Sequence, residues 1–155
     1  MEETFFYFDI HHAIAVHDWI IEHSGGLPGI NNLGLLESAL QHIQSELYYP
    51  ELQHKLTHLV FAINKFHPFT DGNKRSSIAL GAYLLKLNGY EFVVKKFVLE
   101  MENISVWLAE GKISKELLEK LIESLIFEED FSEALKLKLA LAVMPDGSTN
   151  GIGLS

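Results

Sequence analysis

The chain has 155 residues, 48% of them apolar and 21% charged, which excludes a disordered segment and fits one domain with a substantial core. A net charge of −9 excludes a general nucleic-acid binder, which needs a basic face for many phosphates, but not a nucleotide, which needs only a few local donors. The absence of cysteine removes disulfides and thiolate metal sites from consideration.

The start, Met1-Glu2-Glu3-Thr4, is acidic where a secretory signal is basic. No apolar run reaches the ~20 residues of a membrane span. The expectation is a soluble, cytoplasmic protein with neither membrane nor direct nucleic-acid contacts. Residues 10–23 predict a first helix, with Ile10, Ala13, Ile14, His17, Ile20 and Ile21 at helical spacing and Gly25-Gly26 as its stop. His17, inside that stripe, is expected to be a buried, hydrogen-bonded packing histidine. Residues 24–34 are dense in turn-makers and predict a long loop; a second helix follows at 34–44.

A third helix is predicted over 51–66, on Leu52, Leu56, Leu59, Val60, Ile63 and Phe66. His54 and His58 lie one turn apart on its polar side. With no acidic partner or intervening Glu, they predict a solvated face rather than a metal or sensor site. Pro68 disfavours α geometry at His67, so this helix ends there and the histidine points into the loop. The next helix, about 73–87, is apolar on every side through Ile78–Leu85 and predicts a buried centre for the bundle. Gly81 would let neighbouring helices approach closely, and Asn88-Gly89 supplies the stop.

Tyr90–Val94 is β-leaning and predicts an extended connector. Helices are expected over 96–110, over 115–127 with Ser114 as N-cap, and over about 132–143, with a loose tail from Pro145. No repeat or linker is visible. The fold class is therefore all-α: a compact helical bundle around the central helix 73–87.

Between two apolar helices lies His67-Pro68-Phe69-Thr70-Asp71-Gly72-Asn73-Lys74-Arg75, which contains the only arginine of the chain. The first N–H groups of a helix lack partners and carry the positive end of its dipole. Gly72 lets a ligand approach them, making a phosphate seat rimmed by Lys74 and Arg75. Asp71 supplies an oxygen ligand suited to Mg²⁺. Asn73 offers an amide donor, and His67 a general base with an ordinary pKa near working pH. Phe69 and Phe66 would anchor the loop to the core.

This stretch resembles the signature of the Fic/Doc superfamily, His-x-Phe-x-Asp/Glu-Gly-Asn-x-Arg. The resemblance to its Doc (death-on-curing) branch extends over roughly residues 10–125. It includes Gly25-Gly26-Leu27-Pro28-Gly29-Ile30, Leu87-Asn88-Gly89-Tyr90 and Leu108-Ala109-Glu110-Gly111. It implies a Fic/Doc domain at 1–127, with residues 128–155 a helical extension and tail. It also implies that His67 deprotonates a target hydroxyl, Asp71 holds Mg²⁺ against the phosphates of ATP, Gly72, Asn73 and Lys74 form the anion hole, and Arg75 grips phosphate. Loop 25–34 would line the approach of the target.

Two departures separate the chain from AMP-transferring members: Lys74 stands where they have Gly, and Ile78 where they have a second arginine. Lysine crowds the second anion pocket, and the lost arginine removes a bidentate phosphate partner. The resemblance therefore implies a Doc-like toxin. It would transfer the γ-phosphoryl of ATP to a hydroxyl of a target protein, with a translation elongation factor as the branch's target and a Phd-like antitoxin as partner. Asp71-Gly72, shared with the AMP-transferring members, keeps adenylyl transfer open, and a non-catalytic protein-binding domain is a further alternative. Ser124-Leu125-Ile126-Phe127-Glu128 partly matches the autoinhibitory motif of some Fic proteins, but Glu129 stands where Gly or Asn is required. It is read as coincidental.

Overall fold

An amphipathic helix has to bury its apolar stripe against a neighbour. The computed structural model, which describes residues 4–145, meets that need with seven helices. They are α1 (Ile10–Ser24), α2 (Leu33–His42), α3 (Leu52–Phe66), α4 (Asn73–Leu87), α5 (Glu91–Ala109), α6 (Lys115–Phe127) and α7 (Glu133–Val143). Among the described residues the only β-type pairing is an isolated antiparallel bridge between Ile30 and Phe69. The chain is all-α as expected, and no helix among these residues is long and apolar enough to cross a membrane. The expected tail, apart from Pro145, lies outside the described residues.

Local signals fix the helix ends. Asp9 accepts the His12 N–H at 3.1 Å to open α1, and Ser114 accepts that of Leu117 at 3.0 Å to open α6. Gly25, with φ 89°, ends α1 in a conformation that L-residues with a side chain seldom adopt.

Helix α4 packs on α1, α3 and α5, which puts it in the middle of the bundle. A Cβ on Gly81 would lie 3.0 Å from Phe97 and 3.2 Å from both Leu56 and Val60, so this glycine sets the approach of α3 and α5. The burial of α4 is nonetheless one-sided: Ser76, Ser77, Leu80, Gly81, Leu84 and Leu85 face inward, while Ile78, Ala79, Ala82 and Tyr83 are half-buried.

The more enclosed helix is α3, surrounded by α2, α4, α5 and α6. This corrects the solvated face expected at His54 and His58. His58 is buried, its Nδ1 beside the Tyr49 hydroxyl (3.2 Å) and Lys115 Nζ (2.9 Å). His54 is half-buried and closes a capping box with Glu51. Even Lys55 is inside, its ammonium donating to the Ile43 carbonyl at 2.8 Å and to Glu46 at 3.1 Å, with the Phe5 ring 4.7 Å away. The sequence shows polar residues on that side, but it does not show that α6 and the 45–50 segment lie over them.

A second correction concerns Tyr90–Val94, which is not extended. The Tyr90 N–H returns to the Leu85 carbonyl at 2.9 Å, and α5 starts at Glu91. Val93, Phe97 and Met101 are buried at successive helical turns, so packing overrides β propensity. At the other end of the chain, α7 lies on α6 through half-buried Leu135, Leu139, Ala142 and Val143.

Candidate active site

The site forms where α3 ends and α4 begins. His67, the C-cap of α3, has φ 52° and ψ 61° and is the one non-glycine residue with positive φ among those described. As expected from Pro68, the helix ends at this residue and leaves the α region. It does so in a left-handed conformation, costing of order 1–3 kcal/mol that its surroundings must offset. Asn31 supplies part of that support, donating from Nδ2 to the His67 carbonyl at 3.0 Å and from its N–H to the Pro68 carbonyl at 2.8 Å. The side chain of His67 is thereby left exposed at the rim.

Phe69 is the anchor, fully buried and stacked on His17 of α1 with ring centroids 3.8 Å apart. Phe66, expected to share that task, is 46% exposed and packs only edge-on against Phe61.

Gly72 is the N-cap of α4 at φ 77°. The N–H groups of Asn73, Lys74 and Arg75 are the helix's unpartnered first donors. Asp71 sits at their edge. Its Oδ2 accepts the Leu27 N–H at 2.9 Å and its Oδ1 the Gly72 N–H at 2.8 Å. These two donors, and then the charges of Arg75 and Lys74, hold its carboxyl below the usual carboxylate range.

Asn73 does not point its amide outward. The side chain is buried and bonded to both the N–H and the carbonyl of Phe69. The amide expected as a ligand donor is thus occupied in holding the loop, and only the backbone N–H of Asn73 stays unpartnered at the helix start. Lys74 is exposed and has no ion pair or side-chain hydrogen bond among the described residues. Arg75 crosses to the end of α1, where Nη1 donates to the Ser24 hydroxyl and to the Gly25 carbonyl at 2.8 Å. Its Nε and Nη2 make no hydrogen bond among the described residues.

The glycine-rich loop runs beside this motif. The Thr70 N–H donates to the Gly29 carbonyl at 3.0 Å, next to the Ile30–Phe69 bridge. Sequence reasoning had placed this loop near the site but missed Ser24, Leu27, Asn31 and His17 as contacts to it. Backbone donors and lone loop asparagines leave no spacing signal.

Two other candidates fall elsewhere. Glu128, just past the end of α6, accepts the Ser124 hydroxyl at 2.7 Å, and its carbonyl takes Lys96 of α5, on elements that do not build the site. Among the described residues no group of three or more His, Cys, Asp or Glu side chains is arranged to hold a metal by itself, at His54 and His58 or elsewhere.

Comparison with known proteins returns to the same stretch. Residues 7–85 match the model of the Fic/DOC family, a span from before α1 to near the end of α4 that contains every site residue above. Over 105 residues, 65% of this chain and 80% of the relative, the sequence is 32% identical to "Protein kinase doc" of Escherichia phage P1.

Proposed function

The chain belongs to the Fic/DOC family, and from that premise we propose that it is a Doc-like toxin that transfers the γ-phosphoryl group of ATP to a hydroxyl of a target protein. His67 takes the proton as the target oxygen attacks the γ-phosphorus. The bond from that phosphorus to the β–γ bridging oxygen breaks, and ADP leaves. Exposure of His67 at the loop rim suits a base that must reach a hydroxyl on another protein.

Around the phosphates the residues have separable tasks. The backbone N–H groups at the start of α4 meet phosphoryl oxygens without losing any intrahelical bond. Arg75, steadied through Nη1 by α1, turns its remaining donors toward them. Asp71 suits the Mg²⁺ that the family implies: it is kept ionised, and each of its oxygens accepts a single N–H, so lone pairs remain. That ion would supply positive charge against the phosphate oxygens.

The observation that carries phosphoryl over adenylyl transfer is Lys74, exposed beside the helix start with Ile78 one turn on. The cation stands where a glycine would leave room for a second anion pocket, and no second arginine follows to line that pocket. Adenylyl transfer is the second reading, favoured by Asp71-Gly72. A Phd-like antitoxin and a translation factor as target follow from the likeness to Doc.

The test is to incubate the protein with Mg-ATP and a bacterial lysate and identify modified proteins by mass spectrometry. A phosphoryl adduct that disappears with His67→Ala is expected, together with loss of growth inhibition. Equal toxicity of wild type and His67→Ala would refute the role given to His67.

A further inference from the structure

We propose that His17 is a positioning residue that locks the Asp71–Gly72 peptide in the one orientation compatible with anion binding at the start of α4. The inference rests on the phosphate seat proposed above and names what holds it in shape.

His17 lies on α1 and is 1% exposed. Its ring is parallel to that of Phe69, at 4° between planes and 3.8 Å between centroids. Nε2 lies 2.7 Å from the Asp71 carbonyl oxygen. A carbonyl oxygen only accepts, so Nε2 carries the hydrogen and donates it. The other nitrogen, Nδ1, faces the Asp18 carboxylate at 3.5 Å. Packing against Phe69 accounts for a flat ring here, but not for the short, directed bond to the motif's backbone.

That bond matters because of where it falls. In a trans peptide the C=O and N–H point in opposite directions. A carbonyl drawn inward to His17 therefore sends the Gly72 N–H the other way, to Asp71 Oδ1 at 2.8 Å. Gly72 accepts either sign of φ with little penalty, so the peptide before it is the easiest in the loop to flip. Flipped, it would aim a carbonyl oxygen at the Asp71 carboxylate beside the phosphate seat and strip that carboxylate of one of its two N–H donors. His17 opposes the flip from inside the core, where it is held by its stacking on Phe69. The space is already close: a Cβ on Gly72 would lie 3.6 Å from His17 Cδ2 and 3.1 Å from Ile21 Cδ1.

The test compares wild type with His17→Phe, which keeps a stacking ring without a donor, and His17→Gln, which keeps a terminal N–H. Two measurements are made: Mg-ATP affinity by calorimetry, and the Gly72 backbone amide resonance without ligand. His17→Phe should bind Mg-ATP roughly ten-fold more weakly, the scale of one lost hydrogen bond, and its Gly72 amide should shift or double. His17→Gln should recover most of both. Wild-type affinity and an unmoved Gly72 amide in His17→Phe would overturn the proposal. If His17→Phe does not fold, the wild-type ring decides: a hydrogen on Nε2 that exchanges slowly is expected, and protonation only at Nδ1 would overturn it. If the wild-type protein itself does not bind Mg-ATP, the phosphate reading fails, while the ligand-free Gly72 comparison still judges His17.

Discussion

The side chain of Asn73 bonds twice to the backbone of Phe69, accepting its N–H at 3.1 Å and donating to its carbonyl at 2.9 Å. The amide thus stands in for a second peptide strand and ties the start of α4 to the loop's buried anchor. Asn73→Ala would leave both Phe69 groups buried and unpaired. It should lower stability by about 2–3 kcal/mol, read from urea unfolding, and abolish transfer. An unchanged unfolding midpoint would show that the loop is held by other means.

Arg75 grips the end of α1 through Nη1, and in the function proposed above its other donors turn to phosphate. Arg75→Ala should cut Mg-ATP affinity by at least about ten-fold, the scale of a lost charge-assisted contact, with an unchanged helical circular dichroism spectrum. Arg75→Lys should not restore binding, because an ammonium cannot span both partners. Calorimetry on the two variants checks this.

Gly26 has φ 120°, and a Cβ there would fall 2.8 Å from Asp71 Oδ2 and 2.9 Å from Arg75 Nη2. Gly26→Ala should therefore disturb both groups at once. It should reduce transfer severely while costing only about 1–2 kcal/mol of stability. Full activity in this variant would show that the loop can withdraw from the motif without consequence.

Burial, and then the charges of Lys115 and His42, lower the pKa of His58 from 6.5 to about 4. Between those values the unfolded chain binds a proton that the folded one refuses. Stability should therefore decline as pH falls through that window, its His58 component being intact above it. His58→Phe should flatten this dependence, seen by comparing urea midpoints at neutral pH and at about pH 5. An equal decline in wild type and variant would assign it to other groups.

Much of the fold and the family motif at 67–75 were legible in the sequence because their signals are local. Gly25, Ser114 and Gly72 end or start helices by rules that need only neighbouring residues, and the motif at the centre of the candidate site occupies nine consecutive positions. What was hidden depended on which elements meet. His58 and Lys55 look solvated until α6 and the 45–50 segment cover them. Val93 and Val94 favour strands until α5 docks on α4. Asn73 reads as an amide free for ligand, and only the turn back to Phe69 shows it occupied. His17 read correctly as a buried packing residue, yet its bond to Asp71 spans 54 residues of sequence, beyond any spacing rule.

The central claim, that Lys74 and Ile78 favour transfer of the terminal phosphoryl group, is tested most directly with two ATP samples. One carries label in its γ-phosphate and the other in its α-phosphate. Each is incubated with the wild-type protein, Mg²⁺ and a bacterial lysate, and protein-bound label is counted. Label should enter protein from the γ position alone. Incorporation from the α-phosphate would contradict the account and make the protein an adenylyltransferase.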